Sequence, residues 1–243
     1  MGRVICTGLG PGDPDLMSVR AHRLVTGASQ IAYFRKLGRP GQARRIVDGL
    51  LREGCVEYPM EYPVTTELPF ESPEYDAALS GFYDEWAGRL TLLATEADVI
   101  VLCEGDPFFY GSFMHLYSRL DSAVEVEIVP GITGMSGCWT ATGQPITWGD
   151  DILTVLMGTL PEADLVAHMT AADALVIMKT GRNLPKIRRA LASAGRLEAA
   201  WLIEAGTMPG QRVQRLVESA ESECPYFTIV LVHGQGRRPG RVE

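Results

Sequence analysis

Residues 101–111, V-L-C-E-G-D-P-F-F-Y-G, join a buried-strand pattern to residue types that can hold a ligand. The first half is apolar and β-branched, which predicts a strand, and Gly105, Asp106 and Pro107 end that strand abruptly. In open α/β sheets, ligands bind at the carboxyl ends of strands, where glycine lets backbone amides and carbonyls come close to them. We therefore expect a ligand site at this corner of the chain.

Two further glycine-rich corners follow apparent strands, at 8–16 (G-L-G-P-G-D-P-D-L) and at 129–137 (V-P-G-I-T-G-M-S-G). The first does not match a dinucleotide fingerprint, because Asp13 stands where G-x-G-x-x-G needs its third glycine. It does not match a Walker phosphate loop either, because no Gly-Lys-Ser/Thr follows. Two interpretations of the first corner remain: a ligand contact, or a tight turn that is rich in glycine for structural reasons alone.

Composition narrows the class of protein. With 243 residues, 46% of them hydrophobic, the chain can form one large or two small domains with full cores. A formal net charge of -8 argues against a general nucleic-acid binder. The sequence contains no run of about 18 apolar residues and its first residues, M-G-R-V-I-C, do not form a signal peptide. We therefore expect a cytoplasmic protein with no membrane partner.

Cysteine and histidine residues give no sign of a disulfide framework or a metal site. The five cysteines are an odd, widely spaced set without a C-x-x-C pair, so we interpret them as reduced thiols. Cys6 and Cys103 lie in apparent strands, where cysteine behaves as a small apolar residue. The four histidines are isolated from one another and from any H-E-x-x-H spacing, so no metal is expected.

Alternating strand and helix patterns position the three corners. Strand composition occurs at 3–8, 30–34, 55–60 and 124–129, and helices are predicted over 18–27, 42–51, 74–96 and 111–120. This alternation indicates a mostly parallel sheet with helices on its faces. Residues 61–73 are rich in proline, threonine and acidic residues, and are predicted to be a long loop near a site or a dimer partner.

The second half of the chain has a different pattern. Strands are predicted at 152–157, 174–178 and 200–203, with a helix opening at Asn183. Residues 212–217 and 226–232 also have strand composition, and the short connection between them predicts that they pair antiparallel with each other. The predicted fold class is therefore α/β, with two α/β domains: 1–133 with a mostly parallel sheet and 134–243 with a mixed sheet.

In this order and spacing, the three corners resemble those of the tetrapyrrole methylase family over essentially the whole chain. Further matches are A-L-V-I-M-K-T-G-R-N-L-P-K-I at 174–187 and I-E-A-G-T at 203–207, and Y-P-V-T-T-E at 62–67 resembles members that act on precorrins in cobalamin biosynthesis. The resemblance implies two α/β domains with the methyl donor S-adenosyl-L-methionine in the cleft between them, S-adenosyl-L-homocysteine as product, and a homodimer. Members acting on uroporphyrinogen carry Gly-Gly-Asp in place of Glu104-Gly105-Asp106 and an aspartate in place of Phe34, so no base is transferred from them.

The resemblance also implies which residues contact the methyl donor. Gly105, Gly134 and Gly206 would let backbone approach its adenosine or amino-acid part, and Met178 could lie against the adenine ring. Core packing is the alternative role for Met178, and a turn that caps backbone amides is the alternative for Asp106. The full set of implied contacts is Pro11, Glu104, Gly105, Asp106, Phe109, Thr133, Gly134, Met178 and Gly206.

Methyl transfer from a sulfonium requires mainly that nucleophilic carbon, methyl group and sulfur are aligned in a desolvated site. A strong catalytic dyad is therefore not required. A base is needed only if a proton leaves the macrocycle as it is methylated. Glu104, Tyr110 and His115 are candidates for that base by their position near the corner alone.

Basic residues are concentrated in two segments that contain no acidic residue. Residues 31–47 and 179–196 together carry 11 of the 22 lysines and arginines. A tetrapyrrole substrate carries several carboxylates, for which arginine offers paired donors, whereas the alternative interpretation is a set of solvated helix faces. Arg35, Lys36 and Arg182, each placed just after a predicted strand, are the expected substrate contacts.

Other functions fit the same residues. One is methylation at another precorrin or uroporphyrinogen position. Another is methylation of a non-tetrapyrrole acceptor such as RNA or a protein side chain, although the acidic composition counts against RNA. A third is a protein that binds S-adenosylmethionine without catalysis. Only a turnover measurement distinguishes such a protein from a methyltransferase.

Overall fold

The computed structural model describes residues 2–64, 72–120, 122 and 124–238. It consists of two compact units, Met1–Gly134 and Met135–Glu243, called here the N-terminal and the C-terminal unit. Residues 65–71 of the predicted loop, including the T-T-E of the motif at 62–67, lie outside the described residues. Over the described ranges, no helix combines the length and the apolar character needed to cross a bilayer.

The N-terminal unit is built on a parallel sheet of five strands in the order β3-β2-β4-β1-β5. Because β4, β1 and β5 are neighbours and parallel, the three corners that follow them meet at one edge of the sheet. β1 and β4 are buried along their whole length, as expected for apolar strands covered on both faces. The strands are β1 (Val4–Gly8), β2 (Gln30–Lys36), β3 (Val56–Tyr62), β4 (Val99–Cys103) and β5 (Val126–Val129).

Helices cover both faces of this sheet. Side chains alternate along each strand, so Val99 and Val101 pack with the long helix α3, whereas Ile100 and Leu102 pack with α1 and α2. Ser18 and Ser72 begin α1 and α3 as N-caps, each accepting a hydrogen bond from a backbone N–H in the first turn. The helices are α1 (Val19–Gly27), α2 (Gln42–Ile46), α3 (Pro73–Leu93) and α4 (Phe113–Tyr117).

The C-terminal unit contains a mixed sheet of five strands in the order β6-β7-β10-β8-β9, in which only β6 and β7 are parallel. Helices α6 and α7 pack on one face around Leu175 and Ile177, and Cys138 of α5 packs on the other. The elements are α5 (Gly134–Ala141), β6 (Leu153–Met157), α6 (Glu162–Ala171), β7 (Ala174–Met178), α7 (Leu184–Ser193), β8 (Ala200–Glu204), β9 (Arg212–Arg215) and β10 (Thr228–Val232).

The prediction that the last two strands pair with each other is wrong. β9 pairs with β8, and β10 is inserted between β7 and β8. β10, T-I-V-L-V, is buried along its whole length, whereas β9, R-V-Q-R, begins with an exposed arginine. The apolar strand therefore takes the central position and the polar strand the edge.

Two predicted boundaries also differ from the structure. β2 continues through Arg35 and Lys36, which pair with Glu61 and Tyr62 of β3, so both basic residues lie inside the strand and not after it. α2 ends at Ile46 instead of continuing to 51, because Gly49 adopts a φ of 75°, which a right-handed helix does not allow.

Candidate functional site

Three glycines, one from each corner of the N-terminal unit, bring their backbones into direct contact. A Cβ atom on Gly8 would lie 2.6 Å from the carbonyl oxygen of Gly105 and 2.6 Å from the amide nitrogen of Gly131. A Cβ atom on Gly131 would collide with the same carbonyl of Gly105. No side chain fits at Gly8 or Gly131, so the three corners form one continuous backbone surface. Sequence reasoning noted the glycine-rich corners but did not single out these two positions.

A backbone bridge fixes the first corner over the second. The N–H of Gly105 donates to the carbonyl of Gly10 at 2.7 Å, and the N–H of Leu9 donates to the carbonyl of Cys103 at 2.8 Å. Gly10 and Gly105 have φ angles of 83° and 66°, in the left-handed region that glycine adopts without strain. The glycines of the first corner therefore have a specific role, which is to fold the loop back along β4.

Asp106 holds the second and third corners together. Its Oδ1 accepts a hydrogen bond from the N–H of Phe108 at 2.9 Å, and its Oδ2 accepts one from the N–H of Gly131 at 3.0 Å. Each carboxylate oxygen is therefore already bonded to a backbone amide. The structure gives Asp106 the amide-capping role that the sequence left open as the alternative to a ligand contact.

Glu104 is the first residue after β4 and is exposed. Its carboxylate lies near the backbone N–H of Ala43, in the first turn of α2, and that N–H favours the charged form of the carboxylate. Although the residue reaches solvent, the protein around it desolvates the carboxylate and raises its pKa, and the N–H groups of Ala43 and of Glu104 itself oppose that rise. Perturbed pKa values cluster at functional sites, so Glu104 is a candidate functional residue.

The other two base candidates lie further along the chain. Tyr110 is 52% exposed and has a φ of 55°, a conformation that is strained for a residue with a side chain. Its ring packs edge-on against Phe109, with centroids 4.9 Å apart. His115 lies on α4, with its ring centroid 5.0 Å from that of Tyr83. Of the three candidates, Glu104 and Tyr110 are therefore at the corner itself, and His115 is on the following helix.

Two strand ends of the C-terminal unit also carry strained backbone. Lys179, directly after Met178 at the end of β7, has a φ of 52°, and Ala205 and Thr207, which flank Gly206 after β8, have φ angles of 48° and 68°. Such residues cost of order 1–3 kcal/mol each and occur preferentially at functional sites. Met178 itself is half-buried and packs on the cluster around Ile203, so core packing accounts for part of its surface.

Gly206 and Thr207 offer a close approach and a free hydrogen-bonding group. A Cβ atom on Gly206 would lie 2.8 Å from Sγ of Cys138, so only glycine lets α5 pack this closely. The Oγ1 atom of Thr207 is buried and has no hydrogen-bond partner among the described residues. Buried hydroxyls are normally paired, so an unpaired one beside a strand end is a candidate ligand contact. The sequence did not point to Thr207.

The structure separates the basic residues that stabilise the fold from those that are available. Arg35 donates to Oε1 of Glu61 at 2.9 Å, so this expected substrate contact already has an anionic partner. Lys36 lies exposed at the end of β2. Other members of the two basic segments donate to carboxylates or carbonyl oxygens: Arg44, Lys186, Arg188, Arg189 and Arg196.

Within the part of the chain that the structure describes, Arg182 makes no side-chain hydrogen bond or ion pair, and the same holds for Arg39, Arg45 and Lys179. Arg182 is exposed and lies in the short 3-10 turn that precedes α7. Of the three residues expected to bind substrate carboxylates, Arg182 is thus the one with an uncommitted guanidinium.

Known proteins resemble this chain over nearly its full length. Residues 3–220 match the family described as tetrapyrrole (corrin/porphyrin) methylases. A precorrin-2 C(20)-methyltransferase from Sinorhizobium sp is 49% identical over 240 residues, which is 98% of each chain. A cobalt-precorrin-2 C(20)-methyltransferase from Salmonella typhimurium is 29% identical and covers 96% of this chain and 97% of its own.

Solved structures share the fold. The crystal structure of a uroporphyrin-III C-methyl transferase from Thermus thermophilus, complexed with S-adenyl homocysteine, has a TM-score of 0.65. It is 22% identical in sequence and covers 96% of this chain and 97% of that chain. At this identity the likeness shows a common fold for both halves of the chain.

Proposed function

The chain belongs to the tetrapyrrole methylase family, and from this membership we propose that it transfers a methyl group from S-adenosylmethionine to C20 of precorrin-2. The product would be precorrin-3A, an intermediate of cobalamin biosynthesis. The observation that carries the proposal is the 49% identity to a precorrin-2 C(20)-methyltransferase over 98% of both chains. Because the relative named for cobalt-precorrin-2 is only 29% identical, the metal-free substrate is the better supported one.

S-adenosylmethionine supplies an electrophilic methyl group, so the protein must hold donor and acceptor in line and exclude water. We propose that the N-terminal unit contributes donor contacts from Pro11, Glu104, Gly105, Asp106, Phe109, Thr133 and Gly134, and the C-terminal unit from Met178 and Gly206. For Glu104 and for Asp106, whose carboxylate is committed to backbone amides, the proposed contact is through the backbone.

The residues present fit such a donor. A Cβ atom on Gly134 would meet no heavy atom within 4 Å, and one on Gly105 would meet only ordinary contacts from 3.7 Å outward, so there is room above both backbones. The buried, unpaired hydroxyl of Thr207 adds a hydrogen-bonding group beside Gly206. Open glycine backbone and an orphaned hydroxyl are suited to a ligand that carries both ribose hydroxyls and a zwitterionic tail.

For the acceptor, we propose that Arg182, Lys36 and Arg35 bind carboxylates of the macrocycle. Arg182 is the strongest of the three because its guanidinium has no competing anion among the described side chains. Arg35 would have to exchange its contact with Glu61 for a substrate carboxylate, which lowers its net contribution to binding.

A cytoplasmic location and a homodimer complete the proposal. Both come from the family resemblance and the composition. Light scattering at micromolar concentration tests the second, since a monomer mass would contradict the dimer.

Anaerobic incubation of the purified protein with S-adenosylmethionine tests the activity. Precorrin-2, cobalt-precorrin-2 and uroporphyrinogen III are offered separately, and the tetrapyrrole is analysed by mass spectrometry. A gain of one methyl group on precorrin-2 supports the proposal. A gain on uroporphyrinogen III alone would overturn it, and so would tight binding of the donor with no methylated product, which would instead identify a binding protein.

A further inference from the structure

We propose that the carboxylate of Glu104 is the general base of the reaction and takes up the proton that the macrocycle loses when it is methylated. This inference rests on the proposed methyl transfer and adds a catalytic residue to it.

Glu104 lies at a strand end where a ligand is expected to bind. Glu104 directly follows β4, the central strand of the N-terminal sheet, and directly precedes Gly105, which is bridged to Gly10. The carboxyl end of a central parallel strand is where α/β sheets bind their ligands. The residue as a whole is exposed, so a molecule bound at this corner can reach it.

The second support is anchoring. α2 begins after Gly41, which has no side chain to cap the free N–H groups of the first turn. One of them, from Ala43, lies near the Glu104 carboxylate and favours its charged form. A carboxylate has about four acceptor positions on its two oxygens, so this neighbour can orient the group and still leave capacity to accept a proton.

The third support is that the other groups at the corner are less suited to this role. Both oxygens of Asp106 are bonded to backbone amides. Tyr110 carries a phenol, which is a weak proton acceptor. His115 lies on α4 and packs beside Tyr83, one element beyond the strand end.

The electrostatic environment agrees with this assignment. Desolvation is the main cause of the raised pKa of Glu104, and no charged side chain of the described residues is among the causes. A carboxylate with a raised pKa binds a proton more strongly, and general bases are most effective when their pKa approaches the working pH. The partial desolvation therefore favours proton uptake in this position.

The acceptor carbon forms a C–C bond to the methyl group while the C–S bond breaks and leaves its electron pair on sulfur, so the positive charge passes to the macrocycle. Glu104 then takes a proton from the macrocycle, and the electron pair of that bond restores the neutral π system. The resulting carboxylic acid releases its proton to solvent.

The test compares E104Q with the wild type. Glutamine keeps the size of the side chain and an oxygen for the Ala43 N–H, but it cannot serve as the base. We expect single-turnover methyl transfer to precorrin-2 to fall about 10²- to 10⁴-fold, whereas the Kd for S-adenosylhomocysteine stays within about threefold. E53Q changes an exposed glutamate in the turn region before β3 and should leave both quantities unchanged.

The titration of Glu104 is measured separately, in protein that is not turning over. In protein labelled with ¹³C at glutamate carboxyls and free of ligand, the resonance missing from E104Q should titrate above the ordinary glutamate value of 4.5. If E104Q fails to bind S-adenosylhomocysteine, the wild-type rate decides: a fall as pH drops through the measured pKa supports the role.

Three results would overturn the inference: transfer by E104Q within about threefold of the wild-type rate, titration of Glu104 at or below 4.5, or a wild-type rate that does not change through its pKa. Wild-type protein that methylates no tetrapyrrole would overturn the proposed function together with the role of Glu104. Wild-type turnover with an unimpaired E104Q would overturn the role of Glu104 alone.

Discussion

The carboxylate of Asp106 accepts a hydrogen bond from the backbone N–H of Gly131, with 3.0 Å between Oδ2 and the nitrogen. This bond connects the loop after β4 to the loop after β5, which are separated in the sheet by β1. The protein itself therefore holds the two loops together, and Asp106 organises the backbone of the proposed donor site.

D106N should destabilise the protein, because an amide offers only one acceptor oxygen to the N–H groups of Phe108 and Gly131. One of them would face an NH₂ group, at a cost of about 1–3 kcal/mol. Urea unfolding measures the loss. As a control, D48N changes an exposed aspartate in the turn after α2 and should shift the free energy of unfolding by less than about 0.5 kcal/mol. Equal losses of stability in D106N and D48N would contradict the organising role of Asp106.

G131A should reduce both stability and ligand binding, because its Cβ collides with the carbonyl of Gly105 and with the backbone of Gly8. Overpacking of this kind costs about 1–3 kcal/mol, and here it also separates the corners, so S-adenosylhomocysteine should bind more weakly. G88A is the matched control. A Cβ on Gly88 of α3 meets nothing within 4 Å, and alanine should stabilise that helix by about 0.5–1 kcal/mol.

T207V should separate binding from stability. The hydroxyl of Thr207 is buried and unpaired in the described structure, so its replacement by a methyl group should leave the free energy of unfolding unchanged or raise it. If the hydroxyl binds the methyl donor, calorimetry should show affinity for S-adenosylhomocysteine about tenfold weaker. T207S retains the hydroxyl and should bind normally; unimpaired binding by T207V would remove Thr207 from the site.

R182Q should raise the KM for precorrin-2 by about tenfold or more, the value of one charge-assisted hydrogen bond, with little change in kcat. Thermal stability should not change, because the Arg182 side chain has no partner among the described residues. R189Q breaks an exposed ion pair with Glu162 on the neighbouring helix and should leave KM unchanged. A KM that responds equally to both changes would indicate a general field effect instead of a carboxylate contact.

The stability of the protein should fall as pH drops below 6.5, in part because of His233. This residue is buried, with Nδ1 3.0 Å from the carbonyl oxygen of Pro145 and Nε2 3.1 Å from Oγ1 of Thr142. Burial lowers its pKa below the ordinary 6.5, so the unfolded chain binds more protons between the lowered value and 6.5. Urea unfolding at several pH values should show that H233Q loses this part of the pH dependence, while a dependence identical to wild type would exclude His233 as its source.

The local features of the site could be predicted from the sequence. Strand-and-glycine patterns located all three corners, and the helix predicted to begin at Ser18 is α1, with Ser18 as its N-cap. The order of the strands in the sheet could not be predicted. Nothing in residues 4–8, 99–103 and 126–129 states that β1 lies between β4 and β5, and this order is what brings Gly8, Gly105 and Gly131 into contact.

Partners that are distant in sequence explain the other differences. Arg35 was expected to be available because its own segment contains no acid, but the register of β2 with β3 places it beside Glu61. Glu104 was one of three candidate bases by position alone, and the nearness of the Ala43 N–H to its carboxylate depends on the fold. β10 pairs with β7 and β8 instead of β9, because the most apolar strands take the centre of the sheet. This order depends on the whole sheet and cannot be predicted from either segment alone.

The contact of Gly8 with Gly131 also determines when the site can form during folding. Gly8 ends β1 and Gly131 lies just after β5, which are the first and the last strand of the N-terminal sheet in chain order, and Gly105 in the loop after β4 contacts both. In a nascent chain from which β5 has not yet been synthesised, the contact among the three corners therefore cannot form, and the proposed ligand site is incomplete. Since contacts between distant segments form late, the capacity to bind arises only as this unit finishes folding.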